Sequence, residues 1–183
     1  MRKTYLSIFI VAVLALVIST SGCINQEGNQ TNQSGTGTYS VNGLSFNYPL
    51  DWVLGGQIIG NTHIINIADQ TNVESNGTQG SSALISSIPK SENVSYEIAK
   101  ESITNTTGIE FNSTEETVDV AGVTANITTF TGTDTSGNHT QVKLIYFEKD
   151  NFVYTIHFII TGGEDIQAQQ PNFNMIKNSL QVP

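Results

Sequence analysis

Cys23 is the residue with the most specific chemistry in the sequence. It is the only cysteine of the chain, so no disulfide can form within one molecule, and it directly follows Ser21-Gly22 at the end of an apolar run. This arrangement resembles a lipobox, whose cysteine receives lipid and becomes the first mature residue. Thr20 departs from that motif, which prefers leucine there. The alternatives are a chance cysteine in a signal tail and an N-terminal helix that stays uncleaved as an anchor.

The segment before Cys23 has the composition of a secretory signal. It starts with Met-Arg-Lys-Thr and continues from Tyr5 to Ile18 with Ser7 as the only polar interruption. The apolar run is shorter than the ~20 residues that a bilayer core requires. We therefore predict a lipoprotein-type signal peptide over 1–22, a flexible polar spacer over 23–38 and a globular domain over 39–183.

Asparagine sequons are frequent in the chain, where Asn-x-Ser/Thr occurs eight times. An exported protein can carry N-linked sugar at such motifs. We therefore predict a glycoprotein that is anchored in the membrane and lies on the extracellular face of the cell membrane. The predicted glycosylation sites are Asn29, Asn32, Asn76, Asn93, Asn105, Asn112, Asn126 and Asn138.

The three histidines are the remaining candidates for catalysis or metal binding, and they lie in three different segments. His157 is expected to face Leu144 in a hairpin, as a core or sub-surface histidine whose hydrogen bonds are satisfied. Asp134 and His139 share a loop and offer a weak metal site, although loop Asp and His side chains more often contact only water. His63 has no such partner nearby in the sequence. Because no HExxH, CxxC, EF-hand, P-loop or Gly-x-Ser-x-Gly pattern occurs, we predict no catalytic residues, no metal and no cofactor.

The charge balance narrows the choice of partner. Sixteen acidic residues face seven basic ones, which gives a formal net charge of −9. Such a field repels phosphate backbones, so nucleic acid is not an expected partner. Docking of the domain surface on anionic lipid is disfavoured for the same reason.

Hydrophobic alternation predicts the strands that position these residues. Asn42-Gly43 is a strong hairpin signal between two short strands, and Trp52 follows as a packed aromatic residue. A Gly/Asn/Gln-rich loop is expected over 69–81. Further strands are expected over 62–68, 83–89, 117–120 and 123–131, the last with Asn126 on its polar face.

Residues 141–160 contain the strongest β pattern, two runs around Asp150-Asn151. A two-residue turn there pairs Ile145 with Ile156 and Leu144 with His157. Both faces of this hairpin would then be apolar. Strands of that kind lie centrally in a sheet that is covered on each side.

Two amphipathic helices can provide the cover. The first is expected over 93–106, with Asn93 or Ser95 as its N-cap and Gly108 as its end. The second has Pro171 in its first turn. Its apolar stripe contains Phe173, Ile176 and Leu180.

The order of these elements resembles the PsbP-like family over roughly residues 39–182. The most specific piece is Phe46-Asn-Tyr-Pro-x-Asp-Trp52, and the closing Phe173-x-x-Ile176-x-x-Ser-Leu180 also fits. The resemblance implies an α+β fold, an α/β/α sandwich around a central antiparallel sheet. Family members include an extrinsic subunit of the oxygen-evolving photosystem, a nuclear regulator of a small GTPase and many envelope lipoproteins of bacteria and archaea. The chain is most similar to the lipoproteins.

The function expected from these observations is that of a non-catalytic cell-surface lipoprotein domain that binds a protein or another envelope component. The membrane would be contacted through the N-terminal lipid or anchor. The alternative is a small-molecule or metal-binding module of the cell envelope. Fold alone does not decide between them, because one fold serves many functions.

Overall fold

The computed structural model describes residues 35–107, 109–134 and 136–183. The predicted signal peptide, Cys23, most of the predicted spacer, and the predicted helix end at Gly108 lie outside these residues. The first strand of the described residues begins at Thr36, three residues before the predicted start of the domain at Tyr39.

Nine strands and three helices make up the described part of the chain. The strands are β1 (Thr36–Val41), β2 (Leu44–Pro49), β3 (Val53–Ile59), β4 (Thr62–Ala68), β5 (Gly80–Pro89), β6 (Phe111–Val120), β7 (Val123–Thr133), β8 (His139–Lys149) and β9 (Phe152–Thr161). The helices are α1 (Gln70–Glu74), α2 (Tyr96–Thr107) and α3 (Ile166–Ser179), with a 3-10 turn at Lys90–Glu92.

Seven of the strands form one antiparallel sheet in the order β3-β4-β5-β9-β8-β7-β6. Strands β1 and β2 form a separate antiparallel hairpin, whose turn residues Asn42 and Gly43 both have positive φ. The predicted α+β class with a central antiparallel sheet is confirmed. The finer description as an α/β/α sandwich goes beyond these findings and stays a prediction.

The β8–β9 hairpin has the predicted register. Ile145 lies opposite Ile156 and Leu144 lies opposite His157, across a turn at which Asp150 has a φ of 50°. Strand β9 is the fourth of the seven strands and β8 is the fifth. Both strands are therefore central, as their two-sided apolar pattern predicts.

The two faces of the hairpin belong to two separate hydrophobic clusters. On one side, which we call the α3 face, Ile145 and Ile156 are fully buried together with Ile176 of helix α3. On the other side, the α2 face, Leu144 is fully buried and packs in one cluster with Ile103 of helix α2. Burial of large aliphatic side chains on both faces is the main stabilising contribution visible in this sheet.

The α3 face is covered by the β1–β2 hairpin as well as by the helix. Phe46 of β2 is 1% exposed, and its strand is attached to the helix where the Asn47 N–H donates to Ser179 Oγ at 2.7 Å. Trp52 is buried and meets Phe173 edge-to-face at 6.2 Å between ring centroids. The predicted role of Trp52 as a packed aromatic residue is confirmed.

Helix α2 lies over strands β7 to β9 and begins as the sequence indicates. The Ser95 hydroxyl accepts from the Ile98 N–H at 3.3 Å, so Ser95 is the N-cap, whereas Asn93 has a left-handed φ of 56°. The Tyr96 hydroxyl is hydrogen-bonded to the buried Thr128 of β7. This contact fixes the first turn of the helix on the sheet.

Two predictions about helices are wrong. Helix α3 begins at Ile166, where the Asp165 carboxylate accepts from the Gln167 N–H at 2.9 Å, so Pro171 lies inside the helix and not in its first turn. The predicted loop over 69–81 contains the short helix α1, which is capped by Asp69. In both cases an aspartate side chain satisfies the free N–H groups of the first turn.

One strand was not predicted at all. Strand β3 carries Gly55 and Gly56 at its centre and is exposed along almost its whole length, so it lacks a buried alternation. Gly56 has a structural role, because a Cβ there would lie 2.8 Å from the carbonyl oxygen of Ile64 in β4. Only glycine allows the two strands this close approach.

The predicted sub-surface position of His157 is confirmed, but the prediction that its hydrogen bonds are satisfied is wrong. It lies on the α2 face of β9, between Leu84 of β5 and Leu144 of β8. Its Nε2 atom is buried and has no hydrogen-bond partner. Burial lowers the pKa of His157 to about 4, because the apolar surroundings disfavour the charged imidazolium.

Because the sheet is covered on both sides, large-to-small substitutions on either face should destabilise the domain to a similar extent. Ile156→Ala and Phe147→Ala on the α3 face should each destabilise the domain by about 2–5 kcal/mol, the range for large-to-small core changes. Leu144→Ala on the α2 face should cost a similar amount, since Leu144 is fully buried. Urea unfolding of the chain from Gly35 onward measures all three. A Leu144→Ala variant within about 0.5 kcal/mol of wild type would mean that the α2 face is open to water.

A second prediction concerns the stability of the domain at low pH. Because the pKa of His157 is lower in the folded than in the unfolded chain, its contribution to stability is complete above about pH 6.5 and is lost as the pH falls towards 4. Between pH 7 and 4.5, His157→Leu should therefore lose about 2 kcal/mol less stability than wild type. Parallel curves of unfolding free energy against pH for wild type and His157→Leu would contradict the lowered pKa of His157.

Candidate functional site

The seven-stranded sheet has two free edges, and they differ in charge. Strand β6 forms one edge and carries the exposed acidic residues Glu115, Glu116 and Asp119. Lys100 of helix α2 lies over this strand and contacts Glu115 at 2.8 Å and Glu97 at 3.0 Å, which raises the pKa of Lys100. Charged side chains of this kind prevent another strand from pairing with the edge.

Strand β3 forms the other edge and has no such protection. From Trp52 to Ala68, which covers all of β3 and β4, the sequence contains no Asp, Glu, Lys or Arg. The large hydrophobic side chains that are exposed in the described residues lie in or beside β3. They are Leu50 (43% exposed), Val53 (46%), Ile58 (51%) and Ile59 (47%).

We call strand β3, with its exposed residues Val53, Ile58 and Ile59, the apolar edge. Its partner β4 holds it in place, because Ile65 and Ile67 of β4 are buried in the α3-face cluster. On β3 itself the residues alternate between the two faces, so that Ile58 lies on the α3 face and Val53 and Ile59 lie on the α2 face. The apolar edge therefore presents hydrophobic side chains on both faces of a strand whose outer backbone groups are unpaired.

A small cleft lies near the turn that joins β3 to β4. A row of polar residues crosses its floor, from His63 on β4 through Ser87 on β5 to Tyr154 on β9. The β1–β2 turn and the C-terminal residue close its other side. The cleft has a volume of about 220 Å³ and is lined by Asn42, Leu44, Asn61, His63, Ser87, Phe152, Tyr154 and Pro183.

The chemistry of this cleft is neutral and polar. The Nδ1 atom of His63 is buried and has no hydrogen-bond partner, and burial raises the pKa of the Tyr154 hydroxyl. No Asp or Glu side chain lines the cleft to orient His63. The lining can therefore hydrogen-bond a small uncharged group through hydroxyl, amide and imidazole atoms.

The candidate residues predicted for chemistry do not come together. His63 lines the cleft, His157 lies on the α2 face, and His139 is exposed at the start of β8. The Asp134 carboxylate accepts from the backbone N–H groups of Ser136 and Asn138 at 2.8 and 2.9 Å, which lowers its pKa and closes a loop. In the residues that the structure describes, no three His, Cys, Asp or Glu side chains form a group that could hold a metal.

Most of the predicted glycosylation sites within the described ranges are accessible. Asn126 lies on the exposed part of β7, as predicted, although Thr128 of the same sequon is buried. Asn138 is half-buried, and its Nδ2 donates to Asp134 at 3.2 Å. Asn29 and Asn32 lie outside the described residues. The exposed sites are Asn76, Asn93, Asn105, Asn112 and Asn126.

Sequence reasoning did not find the apolar edge or the cleft. The cleft joins residues from four strands, two turns and the segment after helix α3, which no spacing in the sequence brings together. The apolar edge did leave a signal, since a stretch of seventeen residues without Asp, Glu, Lys or Arg is bracketed by Asp51 and Asp69. None of the helices in the described ranges is both long and apolar enough to cross a membrane.

Solved structures that match this chain come from several bacteria. The solution structure of cyanobacterial PsbP (CyanoP) from Synechocystis sp. PCC 6803 matches with a TM-score of 0.53 and 12% identity, over 91% of this chain and 99% of that one. LpqN of Mycobacterium tuberculosis, described as involved in cell envelope biogenesis, matches at 0.48 and 12% identity, over 81% and 91%. A protein of Bacteroides thetaiotaomicron VPI-5482 matches at 0.45 and 12% identity, over 76% of this chain but only 45% of its own length.

The sequence itself was compared with curated proteins and with protein families. No curated protein matches the chain. The family described as PsbP-like protein matches residues 7–182, which is nearly the whole chain. At 12% identity the likeness to the cyanobacterial structure extends to the fold. The chain belongs to the PsbP-like protein family.

Proposed function

We propose that this protein is a non-catalytic, membrane-tethered domain on the outside of the cell that binds a protein of the cell envelope. The observation that carries the proposal is the apolar edge, where Val53, Ile58 and Ile59 are each about half exposed on a strand whose outer side is unpaired. Exposed apolar surface of this kind is costly in water and commonly marks an interaction site.

The backbone of β3 adds to the attraction of the side chains. In the described residues β3 pairs only with β4, so one row of its N–H and C=O groups points away from the sheet. An extended segment of a partner can satisfy these groups by adding a strand, while its side chains contact Val53 and Ile59 on one face and Ile58 on the other. Strand addition needs no charge on either side, in agreement with the composition of β3 and β4.

The proposed tether would hold this surface close to the membrane. The carbonyl of Gly35 accepts from the N–H of Leu50 at 2.9 Å, three residues before β3 begins. The chain therefore enters the domain beside the apolar edge. A lipid on Cys23, or an uncleaved N-terminal anchor, would then favour partners that are themselves in the envelope. N-linked sugar at the exposed sequons belongs to the same proposal.

A second candidate function is supported by the cleft. The unpartnered Nδ1 of His63 and the hydroxyls of Ser87 and Tyr154 are suited to a small neutral molecule with hydrogen-bonding groups. With a volume of about 220 Å³, the cleft admits only a small ligand. It is the weaker candidate, because so small a cleft lets a ligand bury little surface.

Site-specific photo-crosslinking tests the leading proposal. A photoreactive amino acid at Ile58 should give discrete crosslinked products in whole cells, whereas the same group at Glu116 on the opposite edge should not. Ile59→Lys should weaken the Ile58 products at least about tenfold, since a desolvated charge in the contact costs more than ~1.4 kcal/mol. The matched control, Thr114→Lys, adds the same charge on β6 and should leave the yield of the Ile58 products unchanged. Products from Glu116 but none from Ile58 would refute the proposal.

A further inference from the structure

We infer that the partner at the apolar edge is a second copy of this chain, which adds its own β3 to the first β3 in an antiparallel pair about a two-fold axis. The inference rests on the proposed function and names the occupant of the same surface. It is carried by the order of side chains along β3, by the charge at the two sheet edges, and by the positions of the sequons.

The order of residues in β3 is self-complementary. Its apolar residues lie at the two ends and its small residues at the centre, in the order Val53-Leu54-Gly55-Gly56-Gln57-Ile58-Ile59. An antiparallel pair centred on Gly56 therefore matches apolar with apolar at both ends. In this register Val53 faces the second copy's Ile59, Leu54 faces its Ile58, Gly55 faces its Gln57, and Gly56 lies on the axis.

Each of these matches occurs twice and on a consistent face. Val53 and Ile59 both lie on the α2 face, and Leu54 and Ile58 both lie on the α3 face. Directly opposed residues of an antiparallel pair are only ~4.5–5.5 Å apart at Cα, so the exposed aliphatic side chains would cover one another. A shift by one residue would place Val53 against Ile58, on the opposite face, and lose these contacts.

The glycines at the centre suit a symmetric contact. A Cβ on Gly55 would have open space around it, so no other part of the described chain covers the α2 face of β3 at this point. Closely opposed backbones without side chains at the axis avoid the crowding that two identical large residues would cause there.

Charge selects β3 against β6 as the self-pairing edge. Each chain has a formal net charge of −9, so two copies repel each other, and this repulsion is smallest when the contact itself carries no charge. Pairing through β6 would bring two sets of Glu115, Glu116 and Asp119 together. Pairing through β3 keeps carboxylates out of the contact, because neither β3 nor β4 contains Asp, Glu, Lys or Arg.

The distribution of sequons agrees with this choice of edge. Between residues 35 and 75 no Asn-x-Ser/Thr occurs, whereas Asn112 and Asn126 lie on β6 and β7 at the acidic edge. Sugar on those strands would obstruct pairing there and would leave β3 free. A foreign peptide could also hydrogen-bond with β3, but it would not require the mirrored placement of apolar residues.

Disulfide trapping between two single-cysteine variants tests the register. The full chain carries Cys23→Ser in every sample, and Val53→Cys and Ile59→Cys are prepared separately. In the proposed dimer a Val53→Cys chain places its thiol opposite an Ile59→Cys chain, within disulfide range. Two chains of the same variant keep their thiols about 20 Å apart, six residues at ~3.3 Å each.

Mild oxidation of the 1:1 mixture in a non-ionic detergent should therefore give a covalent heterodimer, and either variant alone should give at least about tenfold less dimer. A mixture containing Thr114→Cys on β6 is the matched control and should stay uncrosslinked. Equal yields from the mixture and the single variants, or no dimer in any sample, would overturn the inference. The second measurement is sedimentation of the Cys23→Ser chain with and without Ile59→Lys. A dimer with the same dissociation constant in both chains would count against the inference.

The two proposals can fail separately. If the photoreactive group at Ile58 captures a different protein and the cysteine mixture gives no heterodimer, the apolar edge is a binding surface but its occupant is not a second copy. If Ile58 captures nothing and no heterodimer forms, both proposals are wrong. Capture of this same chain at Ile58 together with the heterodimer supports both.

Discussion

The structure depends on the pairing of β8 with β9, two neighbouring strands that carry large apolar side chains on both faces. Ile145 and Ile156 are buried on one face and Leu144 on the other, and none of the three has measurable exposure. Each such side chain contributes about 1.5–3 kcal/mol when it is removed from water. Because neither face can be left to solvent, the chain must supply a layer on each side. Helix α2 supplies one, and helix α3 with the β1–β2 hairpin supplies the other.

This constraint also determines what stays exposed. Helix α2 is short, and its buried residues contact β7, β8 and β9 at one side of the sheet. Strand β3 lies at the far edge, three strands away from β9, where little is left to cover it. The acidic edge at β6 is protected by its own charges, but the apolar edge at β3 has none. The binding function proposed for the domain thus rests on the fact that the helices and the β1–β2 hairpin cover the centre of the sheet but leave strand β3 exposed.

The elements that could be predicted are those with a strong local pattern of turn residues and alternating hydrophobic residues. The register of β8 and β9 follows from Asp150-Asn151, and the first hairpin follows from Asn42-Gly43, because such turns tolerate positive φ. Strand β3 was missed because it is held by pairing with β4 and not by a buried alternation of its own. The early start of helix α3 was missed because an aspartate cap outweighed the usual placement of Pro171.

The candidate sites were harder to predict than the fold. Cys23 and the sequons are local motifs and can be named from sequence, but they describe processing and attachment. The cleft and the apolar edge arise from contacts between distant segments, such as His63 with Ser87 and Tyr154. Only the absence of charge from Trp52 to Ala68 could have indicated the edge in advance, and an absence is a weak signal when just 13% of residues are charged.

Native-state hydrogen exchange tests the central claim most directly, since it reports the stability of each strand separately. If β8 and β9 are the doubly covered centre of the sheet, the amides of Ile145 and Ile156 should exchange only through global unfolding. They should then be at least about 100-fold slower than amides in the middle of β6, which open locally. Exchange of β9 amides at the rate of those in β6 would contradict the account, because it would mean that the centre of the sheet is no better protected than its edge.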